Sequence, residues 1–551
     1  MQPPKKRKLD NTLVTSPHPL EIRPEGNVLL LTNEERKRAF EARKNGLGSL
    51  SILPDTLLYS IVGEIGDSES VRNFGFASKF CYAFAWQDEL WKELFVEDER
   101  QIKQWKGTWR RSYWGLSRDQ EARVTCSIIE PGLSTSSGDS IKTYLYSDLL
   151  YRPFQCSQVD FESYIKRGLS QLKSHVNLDI ERISQPLSES EFQAKSDQPF
   201  ILTQEYPRGD GSEVVSWSES HDMFSVEKLV ENFGHVIFRQ ECVDWPLATY
   251  EGYMKDNVDE SPLYLFDCRS QVMKGKMGNE ENEENGKNDG NDGNDKNENG
   301  KSGKPFRSTY IDPYIPEIFK TDLFTLCGEA RPDFSWMIIG PRNSGSTFHK
   351  DPNSTCAWNS ILKGAKYWVM FPPHVTPPGI YTDGEESEVT SPCSLAEWFL
   401  GGFYNDVVME GLSTDSSSKA PFLHGMCQQG ETMYVPAGWW HMVVNVCESE
   451  CVAVTQNFIP RGQKLVEALK FLRDKPDQIS GFQCEKVAEW AQKLQVPDAP
   501  IYDLFVKVLE QSEYKKDLED ALEKLPQKNI VKKNVWQELT EDKDVGFSFG
   551  F

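Results

Sequence analysis

The sequence predicts an α+β protein of several domains, built around a double-stranded β-helix, or jelly-roll barrel, with helices before and after it in the chain. Three observations predict this fold class. The 551 residues are too many for a single core. Short apolar runs with glycine turns between residues 335 and 459 are typical of an antiparallel barrel. Apolar residues at helical spacing dominate before residue 97 and after residue 461.

Residues 1–30 have the composition of a disordered tail, rich in proline, serine and threonine. A basic run, Lys5 to Lys8, follows two prolines within this tail. Such a run in an exposed tail is typical of a nuclear import signal, and a merely solvated basic tail is the alternative. We therefore expect a nuclear location, with the cytoplasm as a second one.

Helical elements are expected next. Residues 33–46 predict a charged helix that Asn33 or Thr32 could cap. Residues 48–97 predict a small helical bundle, because apolar residues recur at helical spacing after Pro54. Residues 100–226 mix both patterns and form a connecting region that leads into the barrel.

The barrel is expected over residues 227–460. Its strands 355–361 and 366–371 are expected to form one hairpin, and 432–436 and 440–446 another. Residues 272–306 consist mostly of Asn, Gly, Glu, Asp and Lys and predict a disordered insertion, because they have too little apolar surface to bury.

The chain then turns helical over residues 461–545. Four helices are expected there, at residues 463–473, 483–494, 501–512 and 515–525.

Composition excludes several classes of function. The formal net charge of -23 disfavours a broad electrostatic grip on nucleic acid, so direct nucleic-acid binding is not expected, and it suits basic protein partners. The twelve cysteines contain no C-x-x-C pair, which indicates free thiols. No apolar run reaches the roughly twenty residues that a membrane helix needs, and no apolar segment of a signal peptide follows the basic cluster.

One group of residues points to metal chemistry. His349 and Asp351 are two apart, so in an extended strand they face the same side. His441 lies far downstream, after the turn at Pro436-Ala437-Gly438. Two histidines and one carboxylate form the facial triad of non-haem iron(II) oxygenases, which leaves coordination positions open. A His-x-Asp pair alone also occurs by chance, so its surroundings have to decide.

Those surroundings resemble the Jumonji-C (JmjC) domain, a cupin-type barrel, over residues 227–460. The resemblance extends to the branch of lysyl hydroxylases and arginine demethylases. The segments that carry it are Ser261 to Asp267, Gly340 to Pro352, Ala357-Trp358-Asn359 and Pro436 to His441.

The resemblance implies that His349, Asp351 and His441 bind Fe(II), with 2-oxoglutarate and dioxygen as co-substrates. It implies that Lys366 pairs with the distal carboxylate of 2-oxoglutarate. The residues that it implies as further hydrogen-bonding partners of 2-oxoglutarate are Tyr264, Ser346, Asn359 and Thr455.

Residues 53–95 resemble an F-box, on the Leu53-Pro54 opening, the helix with Leu58 and Ile61, and the Leu90-Trp91-x-x-Leu94 ending. This resemblance implies docking to a Skp-type adaptor.

The expected function is that of a 2-oxoglutarate-dependent dioxygenase that hydroxylates or demethylates lysine or arginine side chains of a protein, including a histone or another nuclear protein. Two alternatives stay open: an F-box adaptor of a cullin-type ubiquitin ligase that uses the barrel for recognition, and an RNA- or tRNA-modifying hydroxylase. Three further histidines, His235, His374 and His424, are expected to be structural or exposed, with His424 in a loop. The sequence names neither the substrate nor the oligomeric state.

Overall fold

A computed structural model describes residues 17–129, 144–172, 178–206, 224–268, 316–384, 386–413 and 422–527. The chain forms two compact units. The first contains residues 1–322, 333–351 and 355–458, and the second contains residues 323–332, 352–354 and 459–551. Within the described ranges, no helix has both the length and the apolar character to cross a membrane. The basic run at Lys5 to Lys8 and the insertion 272–306 lie outside the described residues.

The N-terminal part of the first unit is helical. The predicted helix at 33–46 is confirmed, and Thr32 rather than Asn33 caps it, in a capping box with Glu35. The helices of this part are α1 (Asn33–Leu47), α2 (Asp55–Gly63), α3 (Ser68–Gly75), α4 (Lys79–Ala85), α5 (Asp88–Glu97), α6 (Trp109–Trp114), α7 (Arg118–Ile129), α8 (Asp148–Ser157), α9 (Phe161–Leu172), α10 (Glu189–Lys195), α11 (Val226–Phe233) and α12 (Leu247–Lys255).

The strands form a nine-stranded sheet in the order β1-β2-β13-β8-β15-β6-β5-β3-β4, a four-stranded sheet in the order β12-β9-β14-β7 and a small ribbon β10-β11. Their bounds are β1 (Glu181–Ile183), β2 (Phe200–Leu202), β3 (Ile237–Gln240), β4 (Val243–Pro246), β5 (Leu265–Asp267), β6 (Ser335–Pro341), β7 (Gly345–His349), β8 (Cys356–Lys363), β9 (Ala365–Phe371), β10 (Tyr381–Thr382), β11 (Val389–Thr390), β12 (Leu423–Gln428), β13 (Thr432–Val435), β14 (Trp440–Asn445) and β15 (Glu450–Phe458).

The barrel consists of β13, β8, β15 and β6 of the larger sheet and the four strands of the smaller one. One buried cluster contains inward side chains from both sheets, such as Ile361, Trp368, Val443 and Ala453. All the pairings among these strands are antiparallel. The predicted double-stranded β-helix is therefore confirmed as the fold class.

The two predicted hairpins are wrong, although their strands exist. β8 pairs with β13 and β15, whereas β9 pairs with β12 and β14. In the same way, β13 and β14 belong to different sheets. Gly364 has φ +85° and Gly438 has φ +75°, so each glycine turns the chain from one sheet to the other. The sequence did not reveal this because both faces of these strands are buried, which removes the alternation that distinguishes pairing partners.

Helices cover the outer face of the smaller sheet. Outward side chains of β9 and β14, such as Tyr367 and Met442, pack with Phe161 of α9 and with Phe399 and Tyr404. The last two residues belong to α13 (Leu395–Leu400) and α14 (Phe403–Ser413). This layer fixes β9 and β14, which carry the functional side chains described below.

The second unit confirms the predicted C-terminal helices: α15 (Gln463–Asp474), α16 (Cys484–Lys493), α17 (Ile501–Glu510) and α18 (Lys515–Lys524). These helices have a buried core of their own, with Leu469, Leu504 and Phe505 at its centre.

Candidate metal centre and co-substrate pocket

The three predicted metal ligands lie together at one end of the barrel. His349 is the last residue of β7, and His441 lies opposite it in β14. Their ring centroids are 4.1 Å apart. One ligand atom each from His349, Asp351 and His441 lies within 4.8 Å of the other two. The antiparallel register of β7 and β14 thus brings the distant histidine to the His-x-Asp pair.

Backbone hydrogen bonds orient both imidazoles. Nδ1 of His349 is 2.7 Å from the Thr347 carbonyl, and Nδ1 of His441 is 3.1 Å from the Trp439 carbonyl. A carbonyl can only accept, so each Nδ1 carries a proton, and Nε2 is the atom that each ring can offer to a metal. Burial and the neighbouring His349 ring lower the pKa of His441 to about 4. His441 is therefore neutral, and able to bind a metal, at neutral pH.

The carboxylate completes the donor set. Oδ2 of Asp351 is buried and has no hydrogen-bond partner. A buried carboxylate oxygen in this state is costly unless a cation joins it. Two imidazoles and one carboxylate on one side of a site are the donors that non-haem iron(II) takes. The residues therefore fit the metal that the sequence implied.

Lys366 lies deeper in the barrel, on the inner face of β9. Its side chain is buried, with a relative exposure of 2%. Its Nζ donates to the hydroxyl of Tyr264 at 2.7 Å, and no carboxylate pairs with it in the described part of the chain. Burial disfavours the ammonium, but the pKa of Lys366 is raised because Tyr264 and Cys451 become negative in the alkaline range where the lysine titrates. At neutral pH both neighbours are neutral, because burial raises their own pKa values. The protein thus buries a cation that lacks an anion, as a pocket for a dicarboxylate would require.

Three of the other residues predicted to contact 2-oxoglutarate lie in two places. Tyr264 is buried beside Lys366. Asn359 and Thr455 lie opposite each other in β8 and β15. Oδ1 of Asn359 has no partner, whereas Oγ1 of Thr455 donates to the Trp358 carbonyl at 2.8 Å.

The position of Ser346 depends on an irregularity in the pairing of β14 with β7. The register shifts between His441 and Val443, so Ser346 lies opposite the inward-facing Val443. Ser346 is half-buried there. Its position is compatible with the predicted role, and no hydrogen bond of its side chain supports that role further.

Sequence reasoning missed two buried polar residues of this pocket. Asn445 lies opposite Lys366 in the β14–β9 pair and donates through Nδ2 to Oγ of Ser344 at 2.9 Å. Ser344 in turn donates to the Pro341 carbonyl at 2.7 Å. Oδ1 of Asn445 has no partner. The available signal was an asparagine that ends the otherwise apolar strand Met442-Val443-Val444.

Within the described ranges, no further histidine joins the triad. His424 is buried on β12 and packs against Tyr367 and Phe422, so the expectation of a loop position was wrong. The ring of His424 thus belongs to the helix-covered outer face of the smaller sheet.

Comparison with known proteins gives an independent result. Residues 255–464 match the family described as "Cupin-like domain". The chain is similar to the arginine-specific demethylase JMJ22 of Arabidopsis thaliana, with 31% identity over 444 residues that cover 79% of this chain and 73% of that protein.

Two further similarities cover less. The bifunctional arginine demethylase and lysyl-hydroxylase psr-1 of Caenorhabditis elegans is 30% identical over 44% of this chain and 53% of its own length. The 2-oxoglutarate and iron-dependent oxygenase JMJD4 of Homo sapiens is 25% identical over 33% of this chain and 39% of its own length.

Proposed function

The chain belongs to the JmjC family of iron(II)- and 2-oxoglutarate-dependent oxygenases, and we propose that it hydroxylates or demethylates lysine or arginine side chains of a protein. The observation that carries the proposal is the pairing of a complete His349–Asp351–His441 triad with a buried cation that has no anion, Lys366.

The chain's own residues have distinct tasks. His349, Asp351 and His441 would hold iron(II), and Lys366 with Tyr264 would hold the distal carboxylate of 2-oxoglutarate. Bound iron would supply the oxidation, in which one oxygen atom of dioxygen would enter succinate, formed from 2-oxoglutarate with loss of carbon dioxide, and the other would enter the substrate as a hydroxyl. Hydroxylation of an N-methyl carbon leads to loss of formaldehyde, whereas a hydroxyl on a chain carbon stays.

The class of substrate rests on two supports. The relatives JMJ22 and psr-1 are named for reactions on arginine or lysine. The net charge of -23 favours association with basic proteins, of which histones are one group.

The test is succinate formation by purified protein with Fe(II), 2-oxoglutarate and ascorbate, in the presence of lysine- and arginine-containing peptides with and without N-methyl groups. We expect turnover by the wild type and none by His349→Ala or Asp351→Ala. His424→Ala is the matched control, because it removes a buried histidine outside the triad. An iron-loaded wild type that forms no succinate with any peptide would contradict the proposal. Mass spectrometry of the peptides separates hydroxylation from demethylation.

A second candidate function is adaptor docking by the F-box-like helices. Along α2, Leu57 and Ile61 are 51% and 45% exposed one helical turn apart, and Ile52 just before the helix is 85% exposed. Adjacent exposed apolar side chains are typical of an interaction surface. We expect a Skp-type adaptor to bind the wild type and not the Leu57→Asp/Ile61→Asp variant. Leu522→Asp, a half-exposed leucine of the second unit, is the control. No binding of the adaptor to the wild type would contradict the docking function, and equal binding to all three proteins would contradict the role of Leu57 and Ile61.

We also propose nuclear import through the basic run Lys5 to Lys8. A fluorescent fusion of the full chain should be nuclear, and replacing these four residues by alanine should leave it in the cytoplasm. An unchanged distribution would contradict the import role.

A further inference from the structure

A buried hydrogen-bond donor of the barrel, the indole N–H of Trp368, has no partner. The side chain is 3% exposed, and Nε1 makes no hydrogen bond. An indole nitrogen is a donor only, so nothing but an acceptor can satisfy it. Because an unmet buried donor is costly, it calls for an acceptor that the protein does not supply.

Trp368 lies between the two ends of the candidate pocket. It is two residues from Lys366 on β9, and both side chains face inward, whereas Tyr367 between them packs outward. Two residues of a strand span roughly 6 to 7 Å. The ring centroids of Trp368 and His441 are 6.0 Å apart, with an interplanar angle of 30°. The indole therefore lies inside the barrel, close to His441 and on the same face of β9 as Lys366.

Three other buried tryptophans also lack a partner for Nε1, namely Trp245, Trp358 and Trp440. They face other surroundings. Trp245 and Trp358 pack in the core that the larger sheet shares with the N-terminal helices, and Trp440 packs under the helices that cover the smaller sheet. Of these four indoles, Trp368 is the one that lies in the cluster inside the barrel. Its unmet donor is thus a donor in the interior of the barrel.

We propose that the indole N–H of Trp368 donates a hydrogen bond to the 2-oxo acid end of the bound co-substrate. The ring adjoins His441, at the metal end of the pocket, while Tyr264 and Asn445 adjoin Lys366 at the other end. The oxygens of a 2-oxo acid are strong acceptors, and they bear negative charge. Trp368 would then help to select a 2-oxo acid over a plain dicarboxylate. The inference rests on the proposed 2-oxoglutarate dependence and adds a residue to it.

The test is equilibrium binding to Zn(II)-loaded protein, with two probes. N-oxalylglycine mimics 2-oxoglutarate at both ends, whereas glutarate keeps both carboxylates and lacks the oxo group. We expect Trp368→Phe to weaken N-oxalylglycine about tenfold, as loss of a hydrogen bond to a charged group would, and glutarate less than about threefold. Trp358→Phe removes an equally unmet N–H that faces a core and should change neither affinity.

A second measurement does not depend on how well Trp368→Phe folds. In wild-type protein labelled with ¹⁵N at the tryptophan indoles, N-oxalylglycine should move one buried indole N–H resonance downfield, and glutarate should not. The Trp245→Phe, Trp358→Phe and Trp440→Phe spectra should all retain that resonance.

Three outcomes overturn the inference while leaving 2-oxoglutarate binding intact. They are an unchanged N-oxalylglycine affinity in a folded Trp368→Phe variant, an equal loss for both probes, and the absence of any responding indole. If the wild type fails to bind N-oxalylglycine at all, the proposed function fails instead.

Discussion

Replacing Lys366 by methionine should make the ligand-free protein more stable and the enzyme inactive. The ammonium is buried, its hydrogen bond goes to a neutral hydroxyl, and no carboxylate offsets its desolvation in the described residues. An uncompensated buried charge is costly, and apolar replacements of buried charges often stabilise. Methionine keeps the length of the stem, so we expect the free energy of unfolding to rise by about 1 to 3 kcal/mol.

Binding should change in the opposite direction. Removing the cation leaves the distal carboxylate of the ligand buried without its partner, which costs about 3 to 5 kcal/mol. We therefore expect N-oxalylglycine to bind at least about 100-fold more weakly. At a concentration 100 times its dissociation constant, the ligand should stabilise the wild type by about 2.7 kcal/mol and the variant hardly at all.

Denaturant unfolding, with and without N-oxalylglycine, measures the change in stability. Titration calorimetry measures the affinity for the ligand. Lys464→Met is the control, because Lys464 is also buried but pairs with Glu467 at 2.9 Å. This control should lose stability and keep its ligand affinity. A Lys366→Met protein that is less stable and binds the ligand normally would refute the reasoning, since Lys366 would then be a structural lysine.

Three further predictions concern other parts of the first unit. Burial and the nearby Asp259 raise the pKa of Asp88 to about 7. The folded state therefore holds a proton that the unfolded state releases, so the free energy of unfolding should fall by about 1 kcal/mol between pH 6 and pH 8. Thermal melts of Asp88→Asn should show a weaker dependence of stability on pH over this range. At Gly340 an added Cβ would collide with Oγ of Ser344 and lie 2.5 Å from the ring of Tyr264. Gly340→Ala should therefore displace both side chains and weaken N-oxalylglycine severalfold in calorimetry, and an unchanged affinity would show that their placement is not needed for binding. Asp351→Asn should weaken Co(II) binding, followed by visible absorption, on the order of 100-fold or more, and a smaller loss would mean that this carboxylate is no ligand.

The triad was predictable because its information is local. His349 and Asp351 share a face of an extended segment at a spacing of two, and the sequence shows this directly. The pairing of strands was not predictable in the same way. β8 and β9 follow each other closely and look like a hairpin, but each finds its partners far along the chain. With both faces of a strand buried, burial alone does not say which neighbour completes the ladder.

The rest of the pocket depends on tertiary placement. Tyr264 was anticipated through family resemblance, and only the fold shows that its hydroxyl meets Lys366. Asn445 and Trp368 look like ordinary strand residues in the sequence. Their significance lies in an unmet polar atom that faces the barrel, and such an atom is visible only once its surroundings are known.

A chain of hydrogen bonds connects the N-terminal helices to this pocket. The carboxylate of Asp88 on α5 accepts from the backbone N–H of Trp109 at 2.8 Å. The indole of Trp109 donates to the buried carboxylate of Asp259 at 2.9 Å. Asp259 also accepts from the hydroxyl of Tyr253 at 2.6 Å. Helices α5 and α6 therefore help to satisfy a buried carboxylate beside the barrel.

The same chain ends next to a functional residue. The hydroxyl of Tyr253 accepts from the backbone N–H of Leu263 at 2.8 Å, and Leu263 directly precedes Tyr264. A protein without the helices would leave Asp259 without its indole donor, and the desolvated carboxylate would have to find water or move. Either response would displace Tyr253 and then the segment that presents Tyr264 to Lys366. The placement of Tyr264 beside Lys366 thus depends on α5 and α6 as well as on the strands of the barrel.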